Sequence, residues 1–196
     1  PLVRGTVARN QQVWERIVHT RMRLTGDLRL RNARVVPART TPRATFGVNV
    51  AGYAQSEKGV GEALRSELCN LEAVGIPYVV NNFVDHFSDN RDISVDTTRQ
   101  NPYPVNLVHV NADQVEHFAA TNGVAYFQER YNIGHWVWEL SRFPDAWQRS
   151  FDYFDEIWVP TAFSQDAVAR NAPVPVVRIP YSLNPRAPTT LTRGHF

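Results

Sequence analysis

The sequence predicts an α/β fold: a Rossmann-like parallel sheet with helices on both faces, preceded by a basic helical arm. Apolar runs of strand length alternate with amphipathic segments of helix length from residue 45 to residue 184. Strands that are separated by helices pair in parallel, because the helix carries the chain back to the start of the sheet. The unbroken apolar character of 157–159 is typical of a strand buried on both faces.

Length and charge indicate one main domain and a distinct N-terminal arm. The 196 residues, 43% of them hydrophobic, suffice for one sizeable core. Residues 1–43 hold ten arginines and two acids, a net charge of +8, whereas the remaining residues carry a net charge of −6. We therefore expect an arm and linker over 1–44 and the main domain over 45–184. Residues 185–196 would begin a linker to a missing C-terminal domain.

The basic arm combines a helical pattern with a linker. Two prolines and paired threonines mark the linker near 36–44. The arginines suit either a solvated helix face that packs on a neighbour or a contact with anionic lipid. Nucleic acid is not expected as a partner, because the rest of the chain offers no basic surface to extend the footprint. The helical pattern rests on Val13, Trp14, Ile17, Val18 and Met22.

Cysteine content and hydropathy indicate the compartment. Cys69 is the only cysteine, which excludes an internal disulfide and fits a reducing environment. No apolar run in the sequence reaches the ~18–20 residues of a membrane span. We expect a cytoplasmic protein, whose arm allows peripheral contact with the inner face of a membrane.

The first half of the domain predicts a strand, a helix and a second strand, followed by a long loop. The segment 45–53 is an apolar strand, and 61–75 is an amphipathic helix that stops at Gly75. The second strand covers 77–83. The polar stretch 84–104 has no clear period, and loops of this length in compact domains are usually functional or mobile.

The second half continues the alternation of strand and helix. Pro144 suits the first turn of one helix, and Ser164 suits the N-cap of the next. The predicted strands cover 105–111, 131–140, 156–160 and 175–183, and the predicted helices between them cover 112–123, 144–154 and 164–171.

Ligands of open parallel sheets bind at the carboxyl ends of the strands, and this rule alone selects candidate residues. Each candidate lies at or just beyond the carboxyl end of a predicted strand, so all of them should lie along one edge of the sheet. As substrate-binding residues we predict Tyr53, Asn111, Asp113, Trp138, Thr161 and Ser164, with Tyr181 and Ser182 at the end of the last strand.

A glycine-rich loop joins the first strand to the first helix. It is neither the dinucleotide-binding GxGxxG pattern nor a P-loop, because Lys58 precedes Gly59 and Gly61 and no GK[ST] follows. The glycines suit either a tight turn with positive φ or close approach to a phosphate or sugar hydroxyl at the helix N-terminus. On the second interpretation Gly59 and Gly61 bind the cofactor or co-substrate.

Two residues of the fourth predicted strand are candidate catalytic groups. His135 and Glu139 are four residues apart and would share one face of a strand. The Glu139 carboxylate could accept hydrogen bonds from sugar hydroxyls or form a structural ion pair, and His135 could be a base or a hydrogen-bonded core residue. We expect no bound metal, because the sequence has no DxD, HExxH or other metal-ligand cluster.

Three stretches of the sequence resemble the N-terminal half of GT-B glycosyltransferases of the family 4 type. They are FGVNVAGYAQSEKGVGEALRSEL, YNIGHWVWELSRFPDAWQRSFDYFDEIWVPTAFSQDAV and VVRIPYSL, the last resembling the family's hinge between two domains. The family often has a histidine followed by an acid at the end of the fourth strand. Here Trp138 and Glu139 stand at those positions, with His135 earlier in the strand.

The resemblance implies a retaining transfer of sugar from a nucleotide-sugar donor to an acceptor such as a glycan or lipid, usually without a metal. The N-terminal domain would hold the acceptor, and Gly59 and Gly61 would approach the donor diphosphate. The family binds the nucleotide in its C-terminal domain through an E-x7-E motif, which this sequence lacks. We therefore expect the chain alone to be inactive.

Two other function classes remain open on the sequence. A non-catalytic glycan-binding or scaffold module could keep the same fold, and Trp138 in place of the histidine favours it. A nucleotide-dependent dehydrogenase or epimerase ranks last, because the glycine fingerprint is absent and the second strand ends in asparagines rather than an acid.

Overall fold

A computed structural model describes residues 46–86, 88–90 and 95–182. The basic arm and linker expected over 1–44 and the linker expected over 185–196 lie outside the described residues.

A six-stranded parallel sheet forms the centre of the described chain and confirms the predicted fold class. The spatial order of the strands is β2-β1-β3-β4-β5-β6. The strands are β1 (Val48–Gly52), β2 (Tyr78–Asn82), β3 (Val105–His109), β4 (Tyr131–His135), β5 (Glu156–Val159) and β6 (Val176–Arg178).

The strand order reverses between β1 and β3. The chain passes from β1 to β2 on one side and then to β3 on the other side of β1. Loops that leave the carboxyl ends of β1 and β3 therefore run in opposite directions and open a crevice between them, where ligands of open α/β sheets bind.

Helices cover both faces of the sheet, as predicted. The face under α1 carries an aliphatic core that includes Val50, Leu64 and Leu107, whereas the opposite face carries an aromatic core that includes Phe118 and Trp136. Among the described residues the α-helices are α1 (Gly59–Ala73), α2 (Val115–Asn122) and α3 (Ala162–Ala169), and the 3-10 helices are Ala112–Gln114, Val124–Tyr126 and Asp145–Tyr153.

The first helix begins and ends two residues earlier than predicted, at Gly59 and Ala73, and Gly75 lies just past its end. Its apolar stripe of Leu64, Leu68 and Leu71 is buried, and burial of each leucine contributes about 1.5–3 kcal/mol relative to exposure. Gly75 has a φ of 68°, a left-handed conformation that glycine adopts readily, and this terminates the helix.

The α-helix predicted over 144–154 is wrong in type. The segment is a 3-10 helix over Asp145–Tyr153, preceded by Pro144 in extended conformation. Its burial follows a period of three, because Ala146, Arg149 and Asp152 are all exposed. A 3-10 helix has three residues per turn, so this period keeps one side in solvent and the other against the aromatic core.

A ladder of buried asparagines crosses the sheet near its amino edge. Asn49 donates to Asn106 at 2.9 Å, and Asn106 donates to Asn132 at 2.8 Å. Asn49 also exchanges hydrogen bonds with the backbone of Tyr103. The ladder ties the irregular stretch before β3 to the sheet and leaves the opposite, carboxyl edge for the candidate site.

Candidate functional site

The glycine-rich loop after β1 is fixed by the loop after β2. The Ser56 hydroxyl donates to Asn90 at 2.6 Å, and the Glu57 amide donates to the carbonyl of Asp89 at 2.9 Å. Gln55 and Asn82 form two further hydrogen bonds. These contacts hold the loop in one conformation beside the crevice between β1 and β3.

Gly59 and Gly61 serve different purposes in this loop. An ideal Cβ at Gly61 would lie 2.6 Å from the carbonyl oxygens of Tyr53 and Ser56, so the missing side chain is explained by packing within the loop itself. A Cβ at Gly59, the first residue of α1, would meet nothing within 4 Å. Gly59 therefore leaves the helix N-terminus open on its outer side.

The N-terminus of α1 has no side-chain cap. Lys58 occupies the N-cap position and makes no capping hydrogen bond. The amides of the first helical turn lack intrahelical partners and carry partial positive charge, so they can bind an anionic or hydroxyl oxygen. The Lys58 ammonium is engaged elsewhere: it lies 2.7 Å from Asp85 and 3.3 Å from the centroid of the Tyr53 ring.

Tyr53 is buried, with the Lys58 ammonium over its ring. Its ring packs against Phe83 with a centroid distance of 5.2 Å, and the residue is 6% exposed. Burial raises the pKa of its hydroxyl to about 12, and the carboxylates of Asp113 and Asp85 add to the rise. The phenol therefore stays protonated at neutral pH.

The predicted residues after β3 lie on the other side of the crevice. Asn111 is half-buried and accepts a hydrogen bond from the amide of Val137 at 2.8 Å. Asp113 is exposed in the following 3-10 helix. Asn111 thus fixes the loop after β4, whereas Asp113 is accessible to a ligand.

His135 is the last residue of β4 and stacks on His109, the last residue of β3. Their ring centroids are 4.4 Å apart, and the residues are 3% and 1% exposed. Both ring nitrogens of His109 and Nδ1 of His135 have no hydrogen-bond partner. Burial lowers the pKa of His135 to about 4, and burial together with the neighbouring His135 lowers the pKa of His109 well below 6.5.

Glu139 does not share the strand with His135, contrary to the prediction. Strand β4 ends at His135, and the Val137 amide bonds the Asn111 side chain instead of a neighbouring strand. Glu139 is exposed in the loop that follows. Burial and the Glu139 carboxylate raise the pKa of Tyr181, whose ring lies 5.7 Å from that of His135. The Glu139 carboxylate is therefore accessible in the loop, and Tyr181 packs beside the buried His135.

Trp138, Thr161 and Ser164 connect the loop after β4 to the start of α3. The prediction that Ser164 caps this helix is wrong: Thr161 is the N-cap, and its hydroxyl accepts from the Ser164 amide at 3.0 Å. The Ser164 hydroxyl donates to the Trp138 carbonyl at 2.9 Å. Trp138 packs edge-on against Trp147 with a centroid distance of 5.1 Å. Through these contacts, all three residues stabilise the loop structure at the carboxyl edge of the sheet.

Two features are absent from the described residues. They contain no group of three or more His, Cys, Asp or Glu side chains that could hold a metal ion. In the same part of the chain, no helix is long and apolar enough to cross a membrane.

An open recess of about 500 Å³, lined by Glu57, His86, Ser88 and Asp89, adjoins the glycine-rich loop.

Comparison of the chain with protein-family models, with curated proteins and with solved structures found no match in any of the three.

Proposed function

We propose that this chain is the acceptor-side domain of a retaining, metal-independent glycosyltransferase of the GT-B type. The nucleotide-sugar donor would be held by a second, C-terminal domain, and the sugar acceptor would bind in the crevice between β1 and β3. Without that second domain the chain would not turn over.

One observation carries this proposal. The three stretches that resemble the family supply β1, then β4 and β5, and then β6 of one parallel sheet, and the loops that follow β1, β4 and β5 all lie on its carboxyl edge. At that edge the open side of Gly59 and the uncapped first turn of α1 could receive a diphosphate oxygen presented from outside the domain.

Positioning would supply most of the catalysis. Reactants held in near-attack geometry gain a large part of the rate enhancement before any bond changes. The rigid glycine-rich loop would orient the donor, and the exposed Glu139 carboxylate would accept hydrogen bonds from hydroxyls of the transferred sugar. His135 is neutral at pH 7 but only 3% exposed, so it would contact the same sugar only if its surroundings rearranged.

The test uses the product of the complete coding sequence that contains residues 1–196. Incubation with a panel of nucleotide sugars should release nucleoside diphosphate in the presence of a sugar acceptor, without added metal. Isothermal titration of residues 1–196 alone should show no tight binding of nucleoside diphosphates. A micromolar dissociation constant for this chain, or no transfer from any donor by the complete protein, would contradict the proposal.

A non-catalytic carbohydrate-binding or scaffold module is the second candidate. The observation that favours it is the packing of Trp138, which stands where the family often has a sugar-contacting histidine. Its indole donates to the carbonyl of Arg142 at 3.0 Å and packs on Trp147. Binding of a sugar without any donor turnover by the complete protein would support this candidate.

A further inference from the structure

We propose that residues 6–25 of the basic N-terminal arm pack as a helix on the sheet face that carries α1, over β4, β5 and β6. The segment would extend the helical layer of which α1 is the described part. This contact would lie on a face of the sheet rather than at the crevice between β1 and β3, so it does not depend on the proposed function.

The described helices are divided unevenly between the two faces of the sheet. The helices α2 and α3 and the three 3-10 helices each contribute buried residues to the aromatic core, whereas α1 lies on the aliphatic face and packs on β1 and β3. A hydrophobic sheet face must pack against a second layer. The described helices supply no such layer over β5 and β6 on the aliphatic face.

The face over β4, β5 and β6 is apolar and contains a carboxylate. Ile133 of β4 and Glu156 of β5 are paired in register, and each is 1% exposed. Trp158 and the partly buried Val177 belong to the same aliphatic core as Ile133. Glu156 accepts hydrogen bonds from the Trp158 indole at 2.7 Å and from the Tyr131 hydroxyl at 3.1 Å. A segment that covers this face therefore needs an apolar stripe and suits a positive charge.

The chain that follows β6 borders this face at its carboxyl end. The Ser66 hydroxyl, on one flank of α1, donates to the carbonyl of Ser182 at 2.7 Å. Between β6 and Ser182 the chain passes His135 at the end of β4, because the Tyr181 ring lies 5.7 Å from the imidazole. That flank of α1 therefore faces β4, β5 and β6, and the amino half of their face lies beyond this crossing.

The same flank of α1 adds a second carboxylate. Asn70 lies one helical turn after Ser66, and its amide donates to Glu67 at 3.1 Å. Burial raises the pKa of Glu67, so this carboxylate is desolvated at the border of the face. A positive charge close to a desolvated carboxylate stabilises its ionised form.

The arm matches this face in pattern and in charge. Trp14, Ile17 and Val18 recur at helical spacing, so a helix over 6–25 would have an apolar stripe. The arm carries a net charge of +8, and the rest of the chain carries −6. The stripe can pack on the apolar face while neighbouring arginines approach the carboxylates of Glu67 and Glu156.

The linker is long enough for this contact. Residues 26–45 join the segment to the first described residue, and fully extended they span about 65–70 Å. Strand β5 lies three positions from β1, which is about 15 Å across the sheet. Residues 183–196 are the alternative occupant, but Pro185 and Pro188 interrupt them and they have no apolar pattern of helical period.

Photo-cross-linking within the 196-residue chain identifies the occupant. Cys69→Ser removes the native thiol, and Asn70→Cys carries a benzophenone maleimide on the flank of α1 that faces β4, β5 and β6. We expect the label to link to residues 6–25 of the same chain, located by digestion and mass spectrometry. A mixture of isotope-labelled and unlabelled chains distinguishes a link within one chain from a link between two. Asn171→Cys, exposed after α3, is the matched control and should not link to 6–25.

Two variants of the arm test the apolar stripe. Ile17→Asp would place a charge against the apolar face and should reduce the link to 6–25 at least about fivefold. Gln12→Asp introduces the same charge on the opposite side of the helix and should leave the yield unchanged. An unchanged yield in Ile17→Asp would contradict the contact.

The link in the unsubstituted arm decides the outcome, even if Ile17→Asp fails to fold. A link to 183–196, a link between two chains, or no link to 6–25 would overturn the proposal. If the link is absent and the chain floats with phosphatidylglycerol vesicles, lipid is the partner of the arm and the proposal is wrong. None of these outcomes bears on sugar transfer by the product of the complete coding sequence.

Discussion

The imidazole of His109 stacks on that of His135 with a centroid distance of 4.4 Å and an interplanar angle of 19°. The two histidines lie side by side on neighbouring strands. On the next strand, β1, Gly52 is paired in register with His109. An ideal Cβ at Gly52 would lie 2.6 Å from the carbonyl oxygen of His109 and 3.0 Å from its Cβ, so glycine allows the close approach of the two strands beside the stack. The pair occupies the carboxyl edge without hydrogen bonds for three ring nitrogens.

This pair predicts that the protein is less stable in acid. In the folded state His135 has a pKa of about 4, whereas an unfolded histidine binds a proton near pH 6.5. The unfolded state therefore binds more protons as pH falls below 6.5, and stability is lost down to about pH 4. Between pH 7.5 and pH 5, His135 alone should reduce the free energy of unfolding by about 2 kcal/mol, measured by urea denaturation.

The control for this prediction replaces the titrating ring. In His135→Phe the loss of stability between pH 7.5 and pH 5 should be smaller, and stability at pH 7.5 should be retained because a ring still stacks on His109. His117→Asn, at an exposed position on α2, should keep the wild-type dependence. An unchanged pH dependence in His135→Phe would show that other groups cause it.

The two glycines of the loop predict opposite effects of substitution by alanine. Gly61→Ala places Cβ 2.6 Å from two backbone oxygens and should cost more than about 2 kcal/mol of stability, because the backbone must shift. Gly59→Ala enters open space at the start of a helix and should be neutral or stabilise by up to about 0.5 kcal/mol. Equal melting temperatures for the two variants would contradict this packing.

The asparagine ladder predicts a large effect of one buried substitution. Asn106 accepts from Asn49 and donates to Asn132 and to the carbonyl of Tyr126. Asn106→Ala leaves several buried polar atoms unsatisfied and should cost roughly 3 kcal/mol by urea denaturation. Asn171→Ala, at an exposed position after α3, is the matched control and should change stability by less than about 0.5 kcal/mol.

The parallel sheet could be predicted from the sequence because its signals are local. Apolar runs, the leucine stripe of α1 and the stop at Gly75 each depend on a few neighbouring residues. The ends of the strands are harder to predict from the sequence. Strand β4 stops at His135 because the Val137 amide bonds the side chain of Asn111, which is 26 residues away in the chain. Nothing within the run YNIGHWVWEL indicates that partner.

The contacts that shape the site depend on long-range pairing and escaped the sequence analysis. The hydrogen bonds that fix the glycine-rich loop join residues about 30 positions apart in the chain, such as Ser56 and Asn90. The asparagine ladder did leave a signal, since Asn49, Asn106 and Asn132 each stand second in their strand. The stacking of His109 on His135 left a similar one, because both are the last residue of a strand.

Substitution of Glu139 distinguishes a role in sugar transfer from a role in the stability of the fold. Its side chain is exposed and makes no hydrogen bond within the described residues, so Glu139→Ala should shift the melting temperature by less than about 2 °C. In the complete protein the same change should lower sugar transfer at least about tenfold, if the carboxylate binds the transferred sugar. Asp145→Ala, which removes an exposed ion pair with Arg142 after the same strand, is the matched control and should leave transfer unchanged. Wild-type transfer in Glu139→Ala would show that this residue does not bind the transferred sugar.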